Sequence, residues 1–211
     1  MEGKLITLEG IDGSGKSTQM KMLADELAQK GFDVLTTFEP GDTDLGRILR
    51  RAFLETEDTI SPTAELLLFA ADRAQHVDHL IKPALEAGKI VISDRYADAT
   101  FAYQGAGRGF PVETVNEVIR IATGGLKPDL TIFFDLTVDA ALGRADARSK
   151  NNRMDSEEEA FYHRVRDAYL GIAEREPDRF KVINGEGPRQ EISKEVVELV
   201  EGFLSGTAAS C

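Results

Sequence analysis

The feature that most constrains this chain is a glycine-rich stretch between a short apolar run and a longer amphipathic one. Residues 10–18 fit the pattern G-x-x-x-x-G-K-[ST] and follow the apolar run 5–8. The stretch consists of Gly10, Ile11, Asp12, Gly13, Ser14, Gly15, Lys16, Ser17 and Thr18. Glycines let successive amide N–H groups turn inward, where they and the next helix N-terminus hold phosphate oxygens. The motif therefore predicts a nucleoside triphosphate site, with Lys16 on the β- and γ-phosphates and Ser17 on Mg²⁺.

The apolar pattern of the chain predicts an α/β fold. Short runs rich in β-branched residues occur at 5–8, 34–38, 90–93, 130–134 and 180–183, and segments with helical spacing separate them. Such runs are typical of parallel strands buried on both faces. Parallel strands joined through helices place ligands at the carboxyl ends of the strands. The residues that follow each strand are therefore the first candidates for a site.

Two helix starts are indicated by capping residues. Ser61 followed by Pro62 is typical of an N-cap with proline at the first helical position. Ser156, three residues before Glu159, has the spacing of a capping box. We expect helices to begin at both places.

Length and charge narrow the function classes. The 211 residues favour one domain, and 25 lysines and arginines against 37 aspartates and glutamates give a net charge of −12. This balance argues against nucleic acid or an anionic membrane surface as a partner. The one cysteine is Cys211, so neither a disulfide within the chain nor a cysteine metal cluster is expected. His76 and His79 are three apart with no third ligand in view, and we expect no metal site there. We expect a cytoplasmic protein.

Other motifs leave several P-loop proteins open. The tetrapeptide 152–155 is like the guanine reader of a GTPase switch, but it lies between two predicted helices and is interpreted as a loop. The third strand ends in Asp94 and Arg95. Asp94 is placed to hold Mg²⁺, directly or through water, and Arg95 to bridge donor and acceptor phosphates. A nucleoside monophosphate kinase, a small-molecule kinase and a nucleotide-binding switch all remain possible on these residues.

An ordered set of motifs carries a family resemblance. After residues 10–18 come 39–41 (Glu-Pro-Gly), 68–73 (Leu-Phe-Ala-Ala-Asp-Arg), 94–96 (Asp-Arg-Tyr), 102–105 (Ala-Tyr-Gln-Gly) and 127–130 (Lys-Pro-Asp-Leu). From about Leu5 to about Leu204 the chain resembles bacterial-type thymidylate kinase. The resemblance implies a P-loop three-layer sandwich with strand order 2-3-1-4-5, a homodimer, and transfer of phosphate from ATP-Mg²⁺ to dTMP for dTTP synthesis. Kinases for dUMP or a purine monophosphate, or for a small molecule, are the alternatives.

The resemblance also implies a dTMP site. Phe69 stacks on thymine and Arg73 bonds its O4 edge, while Thr100, Tyr103 and Gln104 surround the N3 edge and the deoxyribose. Tyr103 is the candidate that excludes a 2′-hydroxyl. Further substrate contacts are implied for Asp12, Glu39, Pro40, Arg50 and Arg95. Asp42 stands where the family usually has a second glycine, which leaves the conformation of this loop open.

A basic segment is a candidate lid. Residues 144–153 carry four positive charges and one negative one, and the lid is predicted at about 144–155, with a tail over 205–211 in the single domain 1–211. One subgroup of thymidylate kinases places a catalytic arginine at the P-loop position that Gly13 occupies here. The resemblance therefore assigns catalysis to Arg148, with Arg153 as a second candidate, and places Arg144 over adenine. The segment 184–188 is expected to border adenine.

Overall fold

A computed structural model of the chain describes residues 2–56, 59–146 and 157–206, except for the side chains of 145 and 146. Its centre is one parallel sheet in the order β2-β3-β1-β4-β5. The strands are β1 (Lys4–Glu9), β2 (Val34–Phe38), β3 (Ile90–Asp94), β4 (Leu130–Asp135) and β5 (Phe180–Asn184). The predicted fold class, five strands and strand order are confirmed.

Helices connect the strands as right-handed crossovers require. They are α1 (Lys16–Gln29), α2 (Asp44–Leu54), α3 (Pro62–His76), α4 (Lys82–Glu86), α5 (Ala97–Thr100), α6 (Val112–Thr123), α7 (Val138–Asp146), α8 (Glu159–Arg175) and α9 (Arg189–Leu204). Two π-helical segments, Val77–Ile81 and Phe101–Gly107, continue α3 and α5. The second of these carries two of the predicted site residues.

The sheet is covered on both faces, because neighbouring residues of its strands point to opposite sides. Ile6 and Ile92 pack with Leu23 of α1 and Val196 of α9. On the other face, Leu5 and Val91 pack with the π-helical segment 77–81, and aromatic residues of β4 and β5 pack against α8. These contacts form the predicted three layers. Burial on both faces is complete only in the centre: Phe38 and Val182, on the edge strands β2 and β5, are exposed.

One of the two predicted helix starts is confirmed. The hydroxyl of Ser61 accepts the Ala64 amide, and Pro62 is the first residue of α3. Helix α8 begins at Glu159 after Glu158, which has extended backbone angles and makes no side-chain cap. The helix start predicted at Ser156 is therefore wrong, because α8 begins after Glu158. Ser156 itself lies outside the described residues, so its capping box stays a prediction.

Candidate functional site

A cavity of about 390 Å³ opens at the carboxyl ends of β1, β2 and β3. The structure brings most of the predicted site residues to its wall: Asp12, Gly13, Gly15, Lys16, Ser17, Glu39, Pro40, Arg50, Phe69, Arg73, Asp94, Arg95, Thr100, Tyr103 and Gln104. Gly10, Ile11 and Ser14 in the same loop, and Thr18 in the first turn of α1, do not line the cavity. The predictions for Arg148 and Arg153 concern residues outside the described part of the chain.

The loop between β1 and α1 is wrapped around a buried lysine. Gly13 and Gly15 have φ of 85° and 94°, in the left-handed region that glycine reaches without strain. Lys16 is 5% exposed, and its Nζ donates to the carbonyl oxygens of Gly10 (2.8 Å) and Ile11 (3.1 Å). Burial lowers the pKa of Lys16. An ammonium held only by neutral oxygens can exchange them for phosphate oxygens at little cost.

Ser17 in the first turn of α1 and Asp94 at the end of β3 bring two hard oxygen atoms together. The Ser17 hydroxyl donates to Asp94 Oδ2 at 2.7 Å, while Asp94 Oδ1 is buried and has no hydrogen-bond partner among the described residues. A hydroxyl and a carboxylate with an unused oxygen fit Mg²⁺, which takes few protein ligands when phosphates supply the others. Among the described residues there is no cluster of three or more His, Cys, Asp or Glu that could hold a metal by itself.

Arg95 projects into the cavity from a strained backbone. It is the only non-glycine residue with positive φ, 73°, in the part of the chain that the structure describes. Its amide donates to the Leu8 carbonyl, and its own carbonyl accepts from the Ser93 hydroxyl at 2.7 Å. The guanidinium donates to Asp12 Oδ1 at 2.8 Å and lies 5.6 Å from the Tyr103 ring centroid. Arg95 is thus aimed by hydrogen bonds on both sides of its Cα.

The negative charge of Asp12 is balanced by the guanidinium of Arg95. Arg95 lowers the pKa of Asp12, against the effect of burial, so the carboxylate stays charged and paired. Its negative charge is compensated where a phosphate would otherwise be repelled. Arg50 approaches the same region from α2 and donates to the Pro40 carbonyl at 2.7 Å, and burial lowers the pKa of Arg50.

A second group of side chains lines the deeper end of the cavity. Phe69 and Arg73 share one face of α3, as predicted from their spacing. Arg73 is 2% exposed and donates to the Glu39 carboxylate, the Thr100 hydroxyl and the Tyr96 carbonyl. These bonds use three of the five guanidinium N–H groups, so donors remain for a ligand.

The sequence did not predict the buried partners of Glu39. His76 Nδ1 lies 2.9 Å from Glu39 Oε1, and His76 Nε2 lies 2.6 Å from the Thr37 hydroxyl. Burial raises the pKa of Glu39, but Arg73 and His76 outweigh it and bring the pKa below its usual value. The one available signal was the spacing of three residues between Arg73 and His76 on a helix. Glu39 is therefore an anchor for Arg73 as well as a wall of the cavity.

The loop around Asp42 accommodates the departure from the family pattern. Asp42 does not have a positive φ, so this position does not require glycine. Its Oδ2 accepts from the Thr37 hydroxyl at 2.6 Å, and Thr37 also contacts His76. The aspartate joins the polar cluster behind Glu39, which answers the question that the sequence left open.

Arg144 lies at the mouth of the P-loop. It is exposed, and its guanidinium donates to the Gly185 carbonyl at 3.1 Å, within the segment 184–188 that was expected to border adenine. A Cβ at Gly13 would collide with the carbonyl oxygen of Ala141 in α7. The packing of α7 on the P-loop therefore leaves no room for an arginine at position 13.

Glu9 is a second residue that the sequence analysis missed. Its buried carboxyl accepts from the Tyr96 amide and from the Tyr169 hydroxyl, both at 2.8 Å. Burial, together with the charge of Asp98, raises its pKa to about 8. No local motif indicates that Glu9 is a buried acceptor, because its partner Tyr169 lies 160 positions later in the chain.

Glu9→Gln should change how stability depends on pH. The folded protein keeps the Glu9 proton up to about pH 8, whereas the unfolded chain releases it near 4.5. Between these values the folded state binds more protons, so the stability of the parent falls as pH rises. The variant lacks this loss, and we expect it to gain on the parent by up to ~1.4 kcal/mol per pH unit between pH 5 and 8. Urea unfolding at four pH values measures it. Parallel curves for parent and variant, or an equal gain in the exposed control Glu113→Gln, would contradict the assignment.

Comparisons with known proteins agree with this geometry. A family model described as thymidylate kinase matches residues 8–196. The thymidylate kinase of Desulfosudis oleivorans is 48% identical over 204 residues, covering 93% of this chain and 95% of the relative. That of Halothermothrix orenii is 46% identical over 207 residues, covering 97% and 99%. The crystal structure of thymidylate kinase from Ehrlichia chaffeensis matches with a TM-score of 0.78 at 34% identity, covering 94% of this chain and 98% of that one.

Proposed function

The chain belongs to the thymidylate kinase family, and on that premise we propose how its cavity carries out the family's reaction. The enzyme is a phosphotransferase that uses ATP to phosphorylate dTMP to dTDP, a step in the synthesis of dTTP. The observation that carries the assignment to this cavity is the meeting of the P-loop Lys16 with Arg73 and Gln104 in one space of about 390 Å³. One end offers hydrogen-bond donors for phosphate oxygens, and the other end offers polar side chains that can bind a base.

The acceptor nucleotide occupies the deeper end. Phe69 stacks on thymine, the remaining N–H groups of Arg73 donate to O4, and Gln104 reads the N3 edge. Thr100 and Tyr103 bound the deoxyribose, with Tyr103 where a 2′-hydroxyl would have to fit. Two observations support this placement: these side chains line the same cavity, and Glu39 holds Arg73 in position.

The acceptor phosphate lies between Arg50 and Arg95, with Glu39 and Pro40 forming the wall beside it. Arg95 bridges toward the donor phosphates, and Asp12, held by Arg95, contacts the sugar near its 3′-hydroxyl. Two guanidinium groups at one end of the cavity suit a phosphate dianion, since each can donate two parallel hydrogen bonds.

The donor site is the P-loop. The amides of residues 10–18 hold the ATP phosphates and Lys16 contacts the β- and γ-oxygens. Ser17 and Asp94 would hold Mg²⁺, directly or through water, and the ion would supply positive charge against the phosphates. Arg144 covers adenine, beside the backbone of 184–188, a place supported by its bond to Gly185.

Catalysis consists of alignment and charge compensation. The acceptor phosphate has a second pKa of about 6, so its oxygen is largely deprotonated at pH 7 and requires no general base. Lys16 and Arg95 hold the transferring group between donor and acceptor and balance its charge as bonds exchange. Asp12 is paired with Arg95 and is therefore assigned to positioning.

A coupled assay of ADP release tests the proposed function. Purified protein with ATP-Mg²⁺ should turn over dTMP faster than dUMP, AMP, dGMP or shikimate. If the protein turns over another acceptor but not dTMP, it is a different P-loop kinase and the proposal is wrong. Slow ATP hydrolysis that no acceptor stimulates would indicate a nucleotide-binding switch.

Arg148→Ala should lower kcat by ~10² or more while the KM for dTMP stays within about threefold, because its contact forms only with the transferring phosphate. Since α7 leaves no room for an arginine at position 13, we assign the missing cation to the lid of about 144–155, with Arg153 as the second candidate. Steady-state kinetics of Arg148→Ala and Arg153→Ala compare the two. A kcat of Arg148→Ala within about threefold of the parent would remove Arg148 from catalysis.

The single domain over residues 1–211, with its tail at 205–211, is proposed to form a homodimer in the cytoplasm. Helix α3 contacts both α2 and α6, and the three helices carry exposed apolar side chains: Leu45, Ile48, Leu67 and Ile121. Exposed apolar side chains on neighbouring helices suit contact with a second copy of the chain. Light scattering should give twice the chain mass, and Leu67→Glu should lower the measured mass.

No helix in the described part of the chain is long and apolar enough to cross a membrane.

A further inference from the structure

The amide of Gln104 is held in one orientation by a buried carboxylate. Its Nε2 donates to Glu65 Oε1 at 3.0 Å, and Gln104 and Glu65 are 2% and 1% exposed. An ionised carboxylate only accepts hydrogen bonds, so the NH₂ end of the amide has to face Glu65. Within the described ranges no group donates to Gln104 Oε1, and Gln104 lines the cavity. The carbonyl oxygen is the end left for a ligand.

Glu65 is itself held in place by an arginine. Arg108 donates to it through Nε at 3.1 Å and Nη2 at 3.0 Å, and the same Nη2 reaches Glu157 at 2.6 Å. The Arg108 guanidinium lies 4.8 Å from the Phe161 ring centroid, which holds it from another side. A two-pronged pair fixes both oxygens of Glu65, so the carboxylate cannot rotate away from Gln104.

We propose that Glu65 is a specificity-determining positioning residue that makes the enzyme select pyrimidines with a hydrogen at N3. It does so by presenting the carbonyl oxygen of Gln104, an acceptor, to the base edge. Thymine and uracil donate from N3, whereas cytosine carries a lone pair there and would face the Gln104 oxygen with another acceptor. The inference rests on the proposed function, in which Gln104 lies at the N3 edge of dTMP.

The size of the expected discrimination between thymine and cytosine follows from the free-energy cost of leaving buried polar groups mismatched. Sites built to hydrogen-bond a substrate discriminate strongly because the wrong substrate leaves buried polar groups unpaired. A glutamine at position 65 could offer Gln104 either an oxygen or an NH₂ group, so both amide orientations would become accessible. A Gln104 that turns its NH₂ group to the base can donate a hydrogen bond to the lone pair at N3 of cytosine.

The test compares dTMP with 5-methyl-dCMP, which keeps the methyl group and differs at N3 and at the exocyclic group on C4. The ratio of kcat/KM for dTMP over 5-methyl-dCMP is measured in the parent and in Glu65→Gln. Since the mismatch of the C4 amino group with Arg73 is present in both, it cancels. We expect the ratio to fall about tenfold in Glu65→Gln, while kcat/KM for dTMP changes only a few-fold.

Glu157→Gln is the matched control. It removes one negatively charged partner of Arg108 and leaves the contact with Gln104 in place. The ratio of kcat/KM for the two substrates should stay within about twofold of the parent. Gln104→Ala should lower the ratio, and adding Glu65→Gln to Gln104→Ala should change it no further, because Glu65 then has no amide to orient. Thermal unfolding of each variant confirms that the ratios describe folded enzyme.

Two results would overturn the inference by different routes. If Gln104→Ala lowers the ratio and Glu65→Gln leaves it unchanged, or lowers it no more than Glu157→Gln does, Glu65 does not set the orientation although the base site is right. If Gln104→Ala itself leaves the ratio unchanged, Gln104 does not read N3. In that case the proposed dTMP site fails and the inference fails with it.

Discussion

Lys16→Met should lower kcat by ~10³ without lowering the stability of the protein. In the proposed site the ammonium faces the transferring phosphoryl group, which gains negative charge, and methionine keeps the length of the stem while removing the positive charge. In the ligand-free fold that charge is costly: Lys16 is buried, its Nζ contacts neutral oxygens, and burial lowers its pKa. Burying a charge without a paired ion costs free energy, and an apolar group of similar size avoids that cost.

The measurements are the coupled ADP assay and urea unfolding at pH 7. Lys21→Met is the matched control, because Lys21 lies on the same helix with an exposed side chain. It should retain kcat within about twofold. A Lys16→Met variant that keeps a tenth of the parental kcat would show that the P-loop lysine is not the main charge on the transferring group. A loss of more than ~2 kcal/mol in the free energy of unfolding would show that the lysine stabilises the loop.

The parts of the fold that the sequence predicted are those specified locally. The five strands, the P-loop and the start of α3 at Ser61 each depend on a continuous stretch of a few residues. The parallel strand ends then bring distant stretches to one edge, which is why Lys16, Asp94 and Arg95 could be placed together before the structure was known. Residues of the proposed dTMP site came from the family resemblance, because the spacing alone favours a core stripe of Leu66, Phe69 and Ala70.

The residues that were missed act through long-range contacts of buried polar groups. Glu65 meets Gln104 across 39 positions, His76 meets Glu39 across 37, and Glu9 meets Tyr169 across 160. A carboxylate in a helix or strand pattern looks like a solvated position, because its partner is not nearby in sequence. The missed start of α8 has another cause: Glu158 caps through backbone geometry alone, without the side-chain bond that a capping box predicts. Interpreting such groups requires the packing of the sheet against its helices.

Arg95→Gly should remove most of the activity and still give a more stable protein than Arg95→Ala. Both variants lose the guanidinium, and kcat should fall by ~10²–10³ in each. They differ at the backbone, where residue 95 has φ of 73°. The left-handed conformation costs a non-glycine residue ~1–2 kcal/mol, and glycine avoids this cost while losing ~0.5–1 kcal/mol through the greater freedom of its unfolded chain. We expect the free energy of unfolding of Arg95→Gly to exceed that of Arg95→Ala by ~0.5–1 kcal/mol.

Urea unfolding of the two variants under identical conditions isolates the backbone contribution, because each leaves Asp12 equally unpaired. Equal stabilities, or a more stable alanine variant, would show that the hydrogen bonds of Leu8, Ser93 and Glu9 around this turn relieve the strain rather than hold it. If glycine is more stable, the protein keeps a less favourable backbone at a position whose guanidinium reaches Asp12 and the end of the cavity that is proposed to bind phosphate. The strain is then the consequence of requiring an arginine where the turn favours glycine.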